Sequence, residues 1–125
     1  MTKFLYFRAE ATLANDDATG DSVCYPVSSL MGMEPTSDVE LTLYFKQLSN
    51  QFSDSEDADD NEGLTDIVKL TVGTNAHKEA MKNIADAIVY GKEAFIVVGD
   101  DQTDKTQYIT GISGVVSITV RGVNN

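Results

Sequence analysis

Apolar and polar residues alternate most clearly at residues 39–46, where Val39, Leu41, Leu43 and Phe45 interleave with Glu40, Thr42, Tyr44 and Lys46. A period of two sends successive side chains to opposite faces, so this stretch predicts a strand with one core face and one wetter face. The alternation returns at residues 66–72, with Val68, Leu70 and Val72 against Ile67, Lys69 and Thr71. Phe95-Ile96-Val97-Val98 is a short unbroken apolar run and predicts a central strand. Phe4, Leu5, Tyr6 and Phe7 follow one another within residues 3–9, which predicts a strand buried on both sides. Residues 22–25 predict a short strand closed by Pro26. Residues 107–110 and 114–120 complete the set, with Val116, Ile118 and Val120 opposing Ser117, Thr119 and Arg121. In residues 27–35, Leu30, Met31 and Met33 are apolar, but Gly32 and Pro35 interrupt either period. That segment predicts a packed loop with one helical turn.

The period changes at residues 76–90. Ala80, Met81, Ile84, Ala87 and Ile88 form one helical stripe, with Lys78, Lys82 and Asp86 on other faces. Thr74 or Asn75 stands where a cap belongs, and Gly91 lies just past the end. A helix this short is marginal alone, so its stripe must pack on the sheet. The sum is an α+β fold: a mostly antiparallel sheet of about six or seven strands, and one principal helix at about residues 75–90. Residues 1–125 make a single domain, the size at which one core suffices. One composition break stands out. Asp54, Glu56, Asp57, Asp59, Asp60 and Glu62 crowd into residues 49–63, with no cation between Lys46 and Lys69. Like charges extend such a segment, which predicts a mobile acidic loop.

Charge narrows the functions. Nine Lys+Arg against twenty Asp+Glu give a net charge of −11. No two cations are adjacent, so the basic patch that nucleic acid or an anionic membrane requires is missing from the sequence. No apolar run approaches the roughly 18–20 residues of a membrane span, and Lys3 and Arg8 break the opening residues too soon for a signal peptide. Cys24 is the single cysteine. That excludes an internal disulfide and fits synthesis in a reducing cytoplasm.

Candidate chemistry is sparse. Asp57, Asp59 and Asn61 have the spacing of the first ligands of an EF-hand loop, but Glu62 and Val68 stand where Gly and a bidentate Glu belong. Gly99-Asp100-Asp101 at a strand end is a place where two carboxylates hold magnesium in polymerases, but this chain is too short for one and lacks a basic template channel, so the residues read as an Asx-type turn. His77, the one histidine, reads as an exposed polar residue near a helix start. Cys24 sits in an apolar strand, which reads as a buried, inert thiol. No catalytic, cofactor-binding or metal-binding residue is assigned, and no cofactor is expected. The aromatic residues of the first half divide between core and interface, where Tyr is enriched. The interface candidates are Tyr6, Tyr25, Leu30, Met31, Met33 and Tyr44.

Lys3-Phe4-Leu5-Tyr6-Phe7, Tyr25-Pro26-Val27-Ser28-Ser29-Leu30-Met31-Gly32-Met33 and Asp38-Val39-Glu40-Leu41-Thr42-Leu43-Tyr44-Phe45 resemble small structural proteins of marine tailed bacteriophages. Ala94-Phe95-Ile96-Val97-Val98-Gly99-Asp100-Asp101 and Gly114-Val115-Val116-Ser117-Ile118-Thr119 extend the likeness to most of the chain outside residues 48–64. The resemblance implies a non-enzymatic virion protein: a capsid decoration (cement) protein on the phage head, binding the major capsid protein and itself as an oligomer. It transfers no catalytic residue. A tail or connector component is the alternative within the virion. A small metal-dependent enzyme or regulator using the acidic loops is the alternative from another class.

Overall fold

The structure is a computed structural model that describes residues 2–12, 20–47 and 65–120. The expected acidic loop at 49–63 and the C-terminal residues lie outside these. The strands are β1 (Phe4–Arg8), β2 (Ser22–Pro26), β3 (Leu30–Ser37), β4 (Glu40–Phe45) and β5 (Asp66–Val72). After helix α1 (His77–Tyr90) come β6 (Phe95–Asp100), β7 (Gln107–Tyr108) and β8 (Ile112–Thr119). The fold is α+β, mostly antiparallel, with one principal helix. Among the described residues eight strands are divided between two four-stranded sheets, in the orders β2-β1-β6-β7 and β3-β4-β5-β8. All neighbours are antiparallel except β1 and β6.

The inner faces make one core. Leu5, Phe7, Val23, Tyr25, Ile96 and Val98 come from the first sheet, and Leu41, Leu43, Phe45, Val68, Leu70 and Val72 from the second. The Phe45 ring joins the sheets: it stacks on Tyr25 at 4.1 Å between centroids and meets Phe7 edge-on at 5.7 Å. Such pairs add about 0.5–1.5 kcal/mol each beyond simple burial. Ala80 and Ile84 bring the helix stripe into the same core.

Three bonds fix α1. His77 Nε2 lies 2.8 Å from the Ser37 carbonyl and 3.2 Å from that of Glu40, tying the helix start to the β3–β4 turn. Asn83 donates to the Thr110 carbonyl in the β7–β8 turn. Lys3 Nζ donates to the carbonyls of Ile88 and Gly91 at 2.6 and 2.7 Å, placing a cation on the negative end of the helix dipole. His77 is therefore half-buried and engaged, not a free surface residue. The β7–β8 turn approaches the helix through Gly111, at φ +103°, where a Cβ would lie 3.2 Å from Ala80 backbone atoms.

The structure corrects several expectations. The helical turn expected within residues 27–35 is present as a single 3-10 turn at Val27–Ser29, but Leu30–Ser37 is a strand, not a loop. Gly32 and Pro35 are tolerated because β3 is an edge, with register shifts between Leu30 and Gly32 and between Pro35 and Ser37. Strand β1 is central in its sheet but buried on one face only: Leu5 and Phe7 point inward, while Phe4 is 39% exposed. In β8 the apolar phase differs from strict alternation. Two register shifts against β5 leave Ile112, Val115 and Ile118 buried and turn Val116 outward. Neither Thr74 nor Asn75 caps the helix; Ala76 occupies the N-cap without a side-chain bond, and Asn75 adopts φ 66°. Gly91 ends α1 at φ −67°, so its value is space rather than a left-handed backbone. A Cβ there would collide with the Ala87 carbonyl, which accepts the Gly91 N–H.

Candidate functional site

The carboxylates most suggestive of chemistry are engaged internally. Asp100 Oδ1 accepts the Gln102 N–H at 2.9 Å, an Asx turn, and lies 3.9 Å from the buried Arg8 guanidinium. Asp101 joins the sheets: Oδ1 accepts the Tyr108 hydroxyl at 2.5 Å and Oδ2 accepts the Val115 N–H of β8 at 3.1 Å. That second bond occupies a donor on an edge strand, which would otherwise invite pairing. Partial burial, the Asp101 bond and the nearby charges of Asp101 and Asp100 push the Tyr108 phenol up to about 12. Asp66 is fully buried at the start of β5 and accepts the Tyr25 hydroxyl at 2.8 Å. Among the described residues, no three His, Cys, Asp or Glu side chains gather to hold a metal ion. No helix among those residues is long and apolar enough to cross a membrane.

The outward faces of the two sheets differ in chemistry. On β3-β4-β5-β8 the outward side chains include Glu34, Thr36, Glu40, Tyr44 and Lys69, with Thr42 itself buried, and also the apolar Ile67 and the exposed Val116. Thr36 contacts both Glu40 and Thr42 at 2.8 Å, and the Tyr44 hydroxyl donates to Glu34 at 2.6 Å. That bond, followed by desolvation and the Glu34 charge, raises the Tyr44 phenol above its ordinary value.

On β2-β1-β6-β7 the exterior is uncharged across two successive rows. One row is Pro26, Phe4 and Phe95; the next is Cys24, Tyr6 and Val97. Phe95 is 53% exposed, and its ring lies 5.1 Å from that of Tyr6. The charged pair Arg8 and Asp100 begins only beyond the register shift that follows Tyr6. Beside this face lies a cavity of about 310 Å³ between the end of α1 and β6. The last turn of α1 adds exposed Val89 and Tyr90.

Of the interface candidates, Tyr6 stands on this uncharged face, half-buried beside Phe95. Tyr25 does not present a surface: it is fully buried, because odd-numbered positions of β2 point into the core. Leu30 and Met33 are partly buried against the core at the β3 edge, whereas Met31 is 58% exposed. Tyr44 lies on the opposite, polar exterior. Cys24 also departs from expectation: it is exposed, on the outward side of edge strand β2, though partial desolvation raises its thiol pKa. Phe4 is one of the first-half aromatics expected to divide between core and interface, whereas Phe95 and Val97 give no sign of a surface role in the sequence. Apolar clustering marks a strand but does not say which of its faces another layer covers. No protein-family model, curated protein or solved structure matches the chain.

Proposed function

We propose that this chain is a non-enzymatic structural subunit of a phage virion, a capsid decoration protein whose uncharged sheet face binds the major capsid protein. One observation carries the reading: two successive rows on the exterior of β2-β1-β6-β7 are aromatic and apolar with no charged side chain, on a chain of net charge −11, while the other exterior mixes charged and polar side chains with Ile67 and Val116. Exposed apolar surface on a rigid sheet suits a protein interface. The resemblance to phage structural proteins supports the choice of partner. Asp100 and Asp101 support it too, since their oxygens serve the turn and the junction between sheets. The carboxylates elsewhere keep the free subunit soluble and steer it onto a basic rim.

The test is mass spectrometry of purified particles from the phage that encodes the chain. A decoration protein is present in tens to hundreds of copies that follow the head lattice. A count matching one vertex assigns it to a connector or tail instead, and presence in the lysate without presence in particles overturns the reading.

A further inference from the structure

Strand β6 has an edge that the rest of the fold leaves open. The Phe4 N–H donates to the Ala94 carbonyl at 2.8 Å, which sets the phase of the parallel β1–β6 ladder. In that phase Ala94, Ile96 and Val98 turn their N–H groups toward β1, and Phe95 and Val97 turn theirs away. Strand β7 would cover that side but pairs only Gly99 and Asp100; beyond them, the Val98 carbonyl accepts the Ile109 N–H. Among the described residues, the N–H and C=O groups of Phe95 and Val97 on this side have no partner. They face the cavity of about 310 Å³, whose far wall is Ala87 and Gly91 at the end of α1. Glu93 and Gln107 stand at its two ends along the strand.

The edges of β2, β3 and β8 are each blunted in part. Pro26 removes a donor from β2, and its carbonyl accepts the Ser29 hydroxyl. Strand β3 carries Pro35 and two register shifts. The Val115 N–H of β8 is held by Asp101. Natural sheets protect their edges in these ways, so an unprotected stretch beside a cavity invites a strand.

We infer that the β6 edge takes a short extended segment of a partner protein, basic and apolar in alternation, added to the sheet where β7 stops. This rests on the reading of the chain as a protein-binding subunit and specifies how it binds. Charge selects the occupant. Among the described residues that line the cavity Glu93 alone carries a charge, Gln107 is neutral, the nearby Lys3 ammonium is already taken by the Ile88 and Gly91 carbonyls, and the whole chain is strongly acidic. The apolar positions of the segment would meet Ala87 and Val97, and a cation would meet Glu93.

The probe is N-acetylated, C-amidated Lys-Val-Lys-Val-Lys, with Glu-Val-Glu-Val-Glu as control, added to the full chain while amide hydrogen exchange is followed by NMR. The Lys peptide at about 100 times its Kd slows the Phe95 and Val97 amides about 100-fold. The Ile96 and Val98 amides, already in the ladder to β1, do not change. Glu93→Gln weakens binding about two- to fivefold, as expected for a solvent-exposed ion pair. Val97→Pro removes the outward donor without touching the ladder to β1, and abolishes binding. If that variant does not fold, the alternation of protected and unprotected amides in the parent chain still decides. Binding without slowing at Phe95 and Val97 overturns the inference, as does slowing at Ser22 and Cys24 in their place. Protection that rises with protein concentration in the absence of peptide also overturns it, and makes a second copy the occupant. Particle composition is measured separately, so a chain that passes here and is absent from particles loses the virion reading alone.

Discussion

Tyr25 and Asp66 form a buried polar pair that spans the two sheets. They are 41 residues apart in sequence, lie in different sheets, and are both fully buried. Tyr25→Phe keeps the ring that stacks on Phe45 and deletes only the hydroxyl that donates to Asp66 at 2.8 Å. A hydrogen bond to a charged group contributes about 1.5–3 kcal/mol, and its acceptor cannot turn to water here. The expected loss is therefore about 2–3 kcal/mol, a large share of the roughly 5–15 kcal/mol that holds a domain of this kind. At this chain length the melting temperature should fall by about 10 °C. Urea unfolding followed by circular dichroism measures the loss directly, the chain having no Trp to report by fluorescence. Repeating Tyr25→Phe in an Asp66→Asn background completes a double-mutant cycle, and the pair should show a coupling of about 1–2 kcal/mol. A loss below about 0.5 kcal/mol, or the same loss in both backgrounds, would refute the claim that this pair pins the two sheets together.

The alkaline limb of stability follows from the same hydroxyls. Burial, then the bond to Asp66 and its charge, raise the Tyr25 phenol far above its ordinary value, and Tyr108 is pushed up to about 12. A phenol with a raised folded pKa stabilises fully below the unfolded value of about 10, and the stabilisation drains away as pH climbs through the folded value. Urea midpoints should thus hold up to about pH 10 and drop between pH 10 and 12, with a smaller drop in Tyr108→Phe; a flat profile counts against the Asp101–Tyr108 bond. Gly111→Ala should cost about 1–3 kcal/mol, because an L side chain is strained at φ +103° and its Cβ would crowd Ala80. A melting temperature unchanged by that substitution would contradict the close approach of the β7–β8 turn to the helix. Asp101→Ala leaves the Tyr108 hydroxyl and the Val115 N–H without their acceptor and should cost about 1–3 kcal/mol, read by the same unfolding assay.

Local pattern carried part of this fold. Strand β5 and the stripe of α1 obey one period from end to end, so alternation and helical spacing predict them well; in β4 the period holds for Leu41, Leu43 and Phe45, but Val39, expected on the core face, precedes the strand and is 46% exposed, and Thr42 is buried on the outward side. Strand β8 breaks its own period, because two bulges against β5 turn a spacing of two into buried positions at Ile112, Val115 and Ile118. Strand β3 hides behind Gly32 and Pro35, which an edge tolerates and a central strand would not. The division into two sheets depends on long-range contacts such as Tyr25 with Phe45 and Asp66, which no local window contains. The same limit governs the candidate face. Tyr6 and Tyr25 look alike in sequence, yet one lies outside beside Phe95 and the other lies under Phe45. Cys24 was misjudged for the same reason: apolar neighbours identify a strand but not the face its thiol occupies.

The most direct test of the central claim is a single charge placed on the uncharged face. Phe95 is 53% exposed, so Phe95→Glu should fold with an unfolding midpoint close to that of the parent chain. If this face is the binding surface, the folded variant is lost from purified virions while the parent chain is retained. Incorporation of the folded variant at the parent's copy number would contradict the account.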